Sequence, residues 1–402
     1  MYALAVACAG LFVVLVLEVA ARAFIDVTPH RFLLYLPSET GLYRLRPGFD
    51  DAIPIQLARD EPKVEIRAGI SRQGLRDREY GPKVEGEFRI LMMGDSQTLG
   101  WGLEKQDTVP KQLERMLEDG FPEQDIVVMN AGVPGYAPWQ ALAFLRDEVD
   151  WLQPDMVILQ TFLANDLADT LEQLTPELHT LQAYPSYRPE LVWRMRHHAA
   201  WPMVLDNWLL VHSYVYHVLW KGELFDTPCC RIAALLPWTR DDSMPRLPAS
   251  VRRDPYFEPD LSEWYPELTR AWALFTEDLR AMAAYCREEN LDFAVYNIPY
   301  PFDLRDAEGL SQFGEGFYTL DAADRRLEGF FRTEDYRHAE TLALFREAPH
   351  PESLAFEANK HLSVKGAQMV AEEIRRQFLD VYLRERLDVL GGRQPPAARL
   401  AS

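Results

Sequence analysis

Apolar residues follow two rhythms along this chain: short unbroken runs, and runs spaced at intervals of three and four. Phe88 to Met93, Ile126 to Met129 and Met156 to Thr161 are nearly continuous in apolar character and predict buried strands. Between the first two, Val109, Leu113, Met116 and Leu117 share one face of a helix that Thr108 is placed to cap, with Pro110 tolerated in its first turn. Leu142, Leu145 and Val149 do the same within Trp139 to Trp151. The alternation resumes with a helix near Trp272 to Glu288, a strand at Asp292 to Ile298 and a helix over Val364 to Phe378. Continuously apolar strands separated by amphipathic helices predict a parallel sheet with helices on both faces.

Elsewhere the pattern breaks. Tyr2 to Val19 is almost wholly apolar, with Glu18 near its end and Arg22 and Arg31 beyond it. Residues 1–24 are therefore expected to be a transmembrane anchor or a signal segment. The usual basic start of a signal peptide is missing, which favours the anchor, while the flanking charges leave its orientation open. Residues 25–65 mix Pro, Arg and short apolar pieces and read as a stalk or lead-in. Residues 176–264 are rich in Pro and aromatics and read as a helical insert or lid, in which Met203 to Trp220 is apolar around most of a helix. Residues 386–402 read as a flexible tail.

With 402 residues, of which 48% are hydrophobic, the chain can bury a large core. Its net charge of −20 argues against nucleic acid as a partner, because there is no basic surplus to displace counterions. The four cysteines, Cys8, Cys229, Cys230 and Cys286, fit neither a zinc site nor a disulfide framework, although a bridge from Cys229 or Cys230 to Cys286 stays open. The histidines form no ligand-spaced cluster, so neither a metal nor a cofactor is implied.

The candidate chemistry sits at strand ends. Gly94-Asp95-Ser96-Gln97-Thr98-Leu99-Gly100 launches a serine from the end of the first strong strand into a Gly-bounded turn. A hydroxyl held there is a plausible nucleophile, provided a base takes its proton and donors await the negative charge that develops. After the second strand comes Asn130-Ala131-Gly132-Val133-Pro134-Gly135-Tyr136, and after the third Leu163-Ala164-Asn165-Asp166. His361-Leu362-Ser363 precedes the last strong helix, with Ser363 placed as its N-cap.

These four blocks stand in the order found in SGNH (GDSL-type) hydrolases, which the chain resembles over roughly residues 66–175 and 265–385. Gln73-Gly74-Leu75-Arg76-Asp77 looks like the lead-in of membrane-anchored bacterial members. The resemblance implies a flavodoxin-like three-layer α/β/α sandwich, here with the helical insert and an N-terminal apolar helix added. It implies Ser96 as nucleophile, with the Ser96 and Gly135 N–H groups and the Asn165 side chain as the oxyanion hole. His361 would be the base. Its third block usually begins with glycine, where this chain has Leu163. The family's acid lies three residues before the histidine, where this chain has Ala358. Glu357 is the candidate substitute, Asn359 is placed to hold the ring without charge, and a bare Ser96–His361 pair is the third option.

The implied activity is ester hydrolysis, deacylating a carbohydrate or lipid at or beyond the cell envelope. The catalytic domain is then expected on the periplasmic or extracellular side. An O-acyltransferase for an envelope polysaccharide uses the same covalent intermediate, and a non-catalytic carbohydrate-binding relic of the fold is the alternative that Ala358 favours.

Overall fold

The computed structural model describes residues 2–24, 34–38, 40, 42–171, 215, 259–264, 266–300 and 318–391. Helix α1 (Tyr2–Phe24) is followed by two antiparallel hairpins, β1 (Tyr35–Ser38) with β2 (Leu42–Leu45), and β3 (Ala52–Ile55) with β4 (Val64–Arg67). Then come β5 (Glu87–Gly94), a single helical turn α2 (Ser96–Leu99), α3 (Val109–Gly120) and β6 (Asp125–Gly132). Next are α4 (Pro138–Leu152), β7 (Met156–Thr161), α5 (Leu163–Leu171), α6 (Pro266–Glu288) and β8 (Asp292–Asn297). The last elements are α7 (Ala322–Thr333), β9 (Arg337–Ala339), α8 (Leu342–Arg346), α9 (Val364–Ile374) and α10 (Asp380–Gly391).

β5 to β9 form one five-stranded parallel sheet in the order β6-β5-β7-β8-β9. Alternate residues of each strand feed opposite cores. Leu91, Met93, Val127, Met129, Val157 and Leu159 pack under α4, α5, α6 and α7. Ile90, Met92, Ile126, Val128, Met156 and Ile158 pack under α3, α8 and α9. Both faces are covered, as the unbroken apolar strands predict. After β5 the chain steps to one side to make β6 and then returns past β5 to make β7. The direction of winding therefore reverses between β5 and β7, and in an open parallel sheet the crevice at that reversal, at the carboxyl ends of the strands, is where ligands bind.

Several expectations change. Within the expected stalk of 25–65, the described part packs into the body of the fold: Tyr43, Leu45, Phe49, Ile53 and Ile55 are buried in the same core as β5. Hairpins this short carry too few apolar positions to show periodicity. Thr108 flanks α3 at the capping position, but its hydroxyl donates to the Lys105 carbonyl and makes no cap bond. Ser363 does cap α9, accepting from the Gly366 N–H at 3.2 Å. Cys286 is a free, buried thiol, and its candidate partners Cys229 and Cys230 lie outside the described residues. Most of 176–264, including nearly all of Met203 to Trp220, lies outside the described residues, as does the tail from residue 392. In α1, Phe12 to Leu17 and Val19 are exposed, but among the described residues no helix is long and apolar enough to cross a membrane.

Candidate active site

The strand ends assemble the site. β5 and β6 run side by side until Gly94 pairs with Gly132. Just beyond Gly94, Asp95 accepts a hydrogen bond from the Gln97 N–H at 2.7 Å and so starts α2, whose first residue is Ser96. The turn lies hard against β6. A Cβ on Gly132 would sit 2.2 Å from the Leu99 nitrogen, so only glycine lets the two elements approach this closely. Ser96 is 8% exposed.

His361 reaches Ser96 from 265 positions away, its Nε2 lying 2.8 Å from the serine Oγ. The other ring nitrogen, Nδ1, lies 3.3 Å from the Asn359 Oδ1, which also accepts from the His361 backbone N–H at 3.1 Å. The Asn359 amide nitrogen donates to the Gln56 carbonyl at 2.9 Å. That bond fixes which end of the amide faces the histidine. An amide oxygen only accepts, so Nδ1 is the protonated nitrogen and Nε2 is left to accept the Ser96 proton. The histidine is held in the tautomer that a general base requires.

Glu357 does not take the acid's place. Its carboxylate lies 3.8 Å from the Arg59 guanidinium and its side chain is 60% exposed. Four residues before a histidine that is tied back through Asn359, it lies on the outer side of the loop and pairs with a surface arginine. Of the three options the sequence left open, an asparagine holding the ring is the one this geometry matches.

The candidate oxyanion groups stand on the segments that follow β6 and β7. Val133 to Tyr136 form a turn closed by a Tyr136 N–H to Val133 carbonyl bond of 3.0 Å, with Gly135 at φ +77°. Pro followed by a left-handed Gly is the type II pattern, and the closing bond leaves the Gly135 N–H outside the turn. The turn is joined to β5 through the Val133 N–H, which donates to the Gly94 carbonyl at 3.0 Å. The Tyr43 hydroxyl donates to the Pro134 carbonyl at 2.8 Å. In a trans peptide the N–H points opposite to the C=O, so holding that oxygen on the Tyr43 side aims the Gly135 N–H the other way. Asn165, 6% exposed, donates from its amide nitrogen to the Asp169 carboxylate at 2.7 Å, which anchors that side chain on α5.

Behind these groups lies a patch of buried carboxyls. Burial pushes Asp95 up to about 7, against the hydrogen bond from the Gln97 N–H that favours its ionised form. Asp166 is raised well above the usual carboxyl range, first by burial and then by the charge of Asp95. Its carboxylate accepts from the Phe162 N–H at 2.7 Å and so fixes the start of α5, on which Asn165 stands.

A scan against family models finds no match, and no curated protein matches the chain. Among solved structures, it is similar to a catalytic mutant of the acetylxylan esterase Axe2 from Geobacillus stearothermophilus. The two are 14% identical, the match covers 72% of this chain and 93% of that one, and the TM-score is 0.37. The cold-adapted esterase EstA from Pseudoalteromonas sp. gives 12% identity, 74% and 98% coverage and a TM-score of 0.34. TesA gives 13%, 73% and 99%, and 0.38. Likenesses this distant assign neither a family nor an activity.

The geometry also shows residues whose part the motifs did not reveal. Arg76, 2% exposed, donates to the carbonyls of Arg67, Ala68, Leu99, Gly100 and Leu103, and so clamps the end of α2. Asp77 accepts from the Asn130 N–H at 2.9 Å and from Lys111 at 2.8 Å. The Asn130 side chain in turn donates to the Leu99 carbonyl and accepts from Gly132. Arg76 and Asp77 belong to the stretch singled out in the sequence, but nothing in their spacing shows that they brace the serine turn. Tyr43 and Gln56 carry no signal at all, because one supplies a hydroxyl and the other a backbone carbonyl to partners far along the chain.

Proposed function

We propose that this protein is a serine esterase or deacylase. The observation that carries the reading is the 2.8 Å contact between Ser96 Oγ and His361 Nε2, with the ring tautomer set from the far side by Asn359. In the proposed cycle Ser96 attacks the acyl carbonyl while His361 Nε2 takes its proton. The oxyanion that forms faces the Ser96 and Gly135 N–H groups and the Asn165 amide. The imidazolium then protonates the departing alcohol, leaving an acyl-serine. Water attacks that ester with His361 again as base, and the carboxylic acid leaves.

Asn359 orients the imidazole but brings no charge to stabilise imidazolium, so turnover is slower than a carboxylate would allow. The proposed substrate class is a short acyl ester, such as acetyl, on a carbohydrate or lipid. The proposed location, at the envelope with the catalytic domain on the periplasmic or extracellular side, rests on the apolar run Tyr2 to Val19. Transfer of the acyl group to a polysaccharide differs only in the acceptor. A binding relic has no use for a serine hydroxyl aligned with a tautomer-fixed histidine.

The test is labelling by a fluorophosphonate together with hydrolysis of an aryl acetate. The expected result is one label, on Ser96, and hydrolysis that both Ser96→Ala and His361→Ala remove. An unlabelled protein with no hydrolysis overturns the reading.

A further inference from the structure

Gln97 follows the serine directly, and its side chain is 2% exposed. Its amide nitrogen donates to the Lys360 carbonyl at 3.2 Å, and its amide oxygen accepts from the Leu362 N–H at 3.0 Å. The Lys360 carbonyl and the Leu362 N–H belong to the two peptide groups on either side of His361. One side-chain amide therefore grips both peptide planes that flank the histidine, much as a neighbouring strand would. Its own backbone N–H is held by Asp95, so the grip starts from the turn that carries Ser96.

We infer that Gln97 is the positioning residue that sets the His361 imidazole against the Ser96 hydroxyl. The inference rests on the esterase reading for its effect on rate. The local backbone explains why such a clasp is needed. Lys360 has φ +57°, a left-handed conformation that a residue with a side chain adopts only when its surroundings hold it there. The Lys360 N–H bond to Phe356 and the bond from Phe356 N–H to the His361 carbonyl hold the loop to itself. Gln97 holds it to the nucleophile. Fixing the two peptide planes leaves the side-chain torsions as the histidine's main freedom, and Asn359 restrains those from the other side.

Gln97→Met keeps the length and volume of the side chain and removes both hydrogen bonds. Gln97→Glu keeps the acceptor for Leu362 and loses the donor to Lys360. Gln97 does not touch the reacting atoms, so kcat and the rate constant for fluorophosphonate labelling of Ser96 fall while KM holds. The expected loss in Gln97→Met is about tenfold or more, with Gln97→Glu between it and the wild type. Melting temperatures identify any variant that fails to fold, in which case Gln97→Glu carries the comparison. A second readout needs no turnover: nitrogen NMR of the His361 ring, assigned by its loss in His361→Ala. The wild type is expected to show the Nδ1–H tautomer and Gln97→Met a mixture. If the wild type is not labelled, the esterase reading fails and the ring spectrum still decides the role of Gln97. Labelling at the wild-type rate in a folded Gln97→Met, or an unchanged ring spectrum, overturns the inference.

Discussion

The Tyr43 hydroxyl donates to the carbonyl oxygen of Pro134 at 2.8 Å, and the Tyr136 hydroxyl returns a bond to the Tyr43 carbonyl. The two rings meet edge to face with centroids 5.4 Å apart. Tyr43→Phe keeps the ring packing and releases the Pro134–Gly135 peptide. The expected outcome is a loss of about tenfold in kcat with KM little changed, since a donor aimed at the oxyanion acts mainly in the transition state. Stability should fall by only about 1 kcal/mol. Steady-state kinetics on an aryl acetate and a thermal melt check both, and an unaltered kcat would remove Gly135 from the oxyanion hole.

Asn359 gives a prediction with a sign. Asn359→Asp places a carboxylate where the neutral oxygen now meets His361 Nδ1. A negative charge there stabilises imidazolium, so the acid limb of the rate profile moves to higher pH. The plateau above that limb should rise by at least about tenfold. Asn359→Ala should lower the rate at every pH, because the ring loses its orientation. A pH profile of kcat/KM separates the two variants.

The fold was legible where residue pattern and burial coincide. Met156–Thr161 is predicted and found with the same ends, because every residue in it is buried and no turn blurs its edges. β9 was invisible: Arg337–Ala339 has three residues, one of them buried, and no rhythm can be read from so few. In the site, Ser96 and His361 were legible because their positions next to strand and helix ends are encoded locally. Asn359 was one of three open options, since choosing among neighbours of a histidine depends on which way the loop turns. The Gln56 carbonyl decides that, and a backbone carbonyl has no residue type to read.

Arg76 meets five carbonyl oxygens and is nearly inaccessible to water. Arg76→Met leaves those oxygens without a donor and should cost on the order of 3–5 kcal/mol. Arg76→Lys should also destabilise, because an ammonium has three hydrogens and cannot span the fork. Chemical denaturation measures both. A change below about 0.5 kcal/mol in either variant would contradict the bracing role.

Asp95 makes stability depend on pH. Its carboxyl is raised from 3.8 to about 7, so the folded state holds a proton that the unfolded chain has released. The contribution of this one group is full below about pH 4 and is lost as the pH rises towards 7. Asp95→Asn can still cap α2 and carries no charge, so its unfolding free energy should fall less across that window than the wild type's. The difference should be on the order of a few kcal/mol, with Asp166 also raised by the charge of Asp95. Parallel curves for the two proteins would show that Asp95 does not titrate there.

Gln56 and Asn359 meet across 303 positions of chain. A version of this protein beginning at Glu87 would contain every reacting group and lack the pieces that hold them: Tyr43, Gln56, Arg76 and Asp77. During synthesis the serine emerges 265 positions ahead of His361. Until that later segment folds onto the sheet, a nascent chain carries Ser96 without its imidazole neighbour.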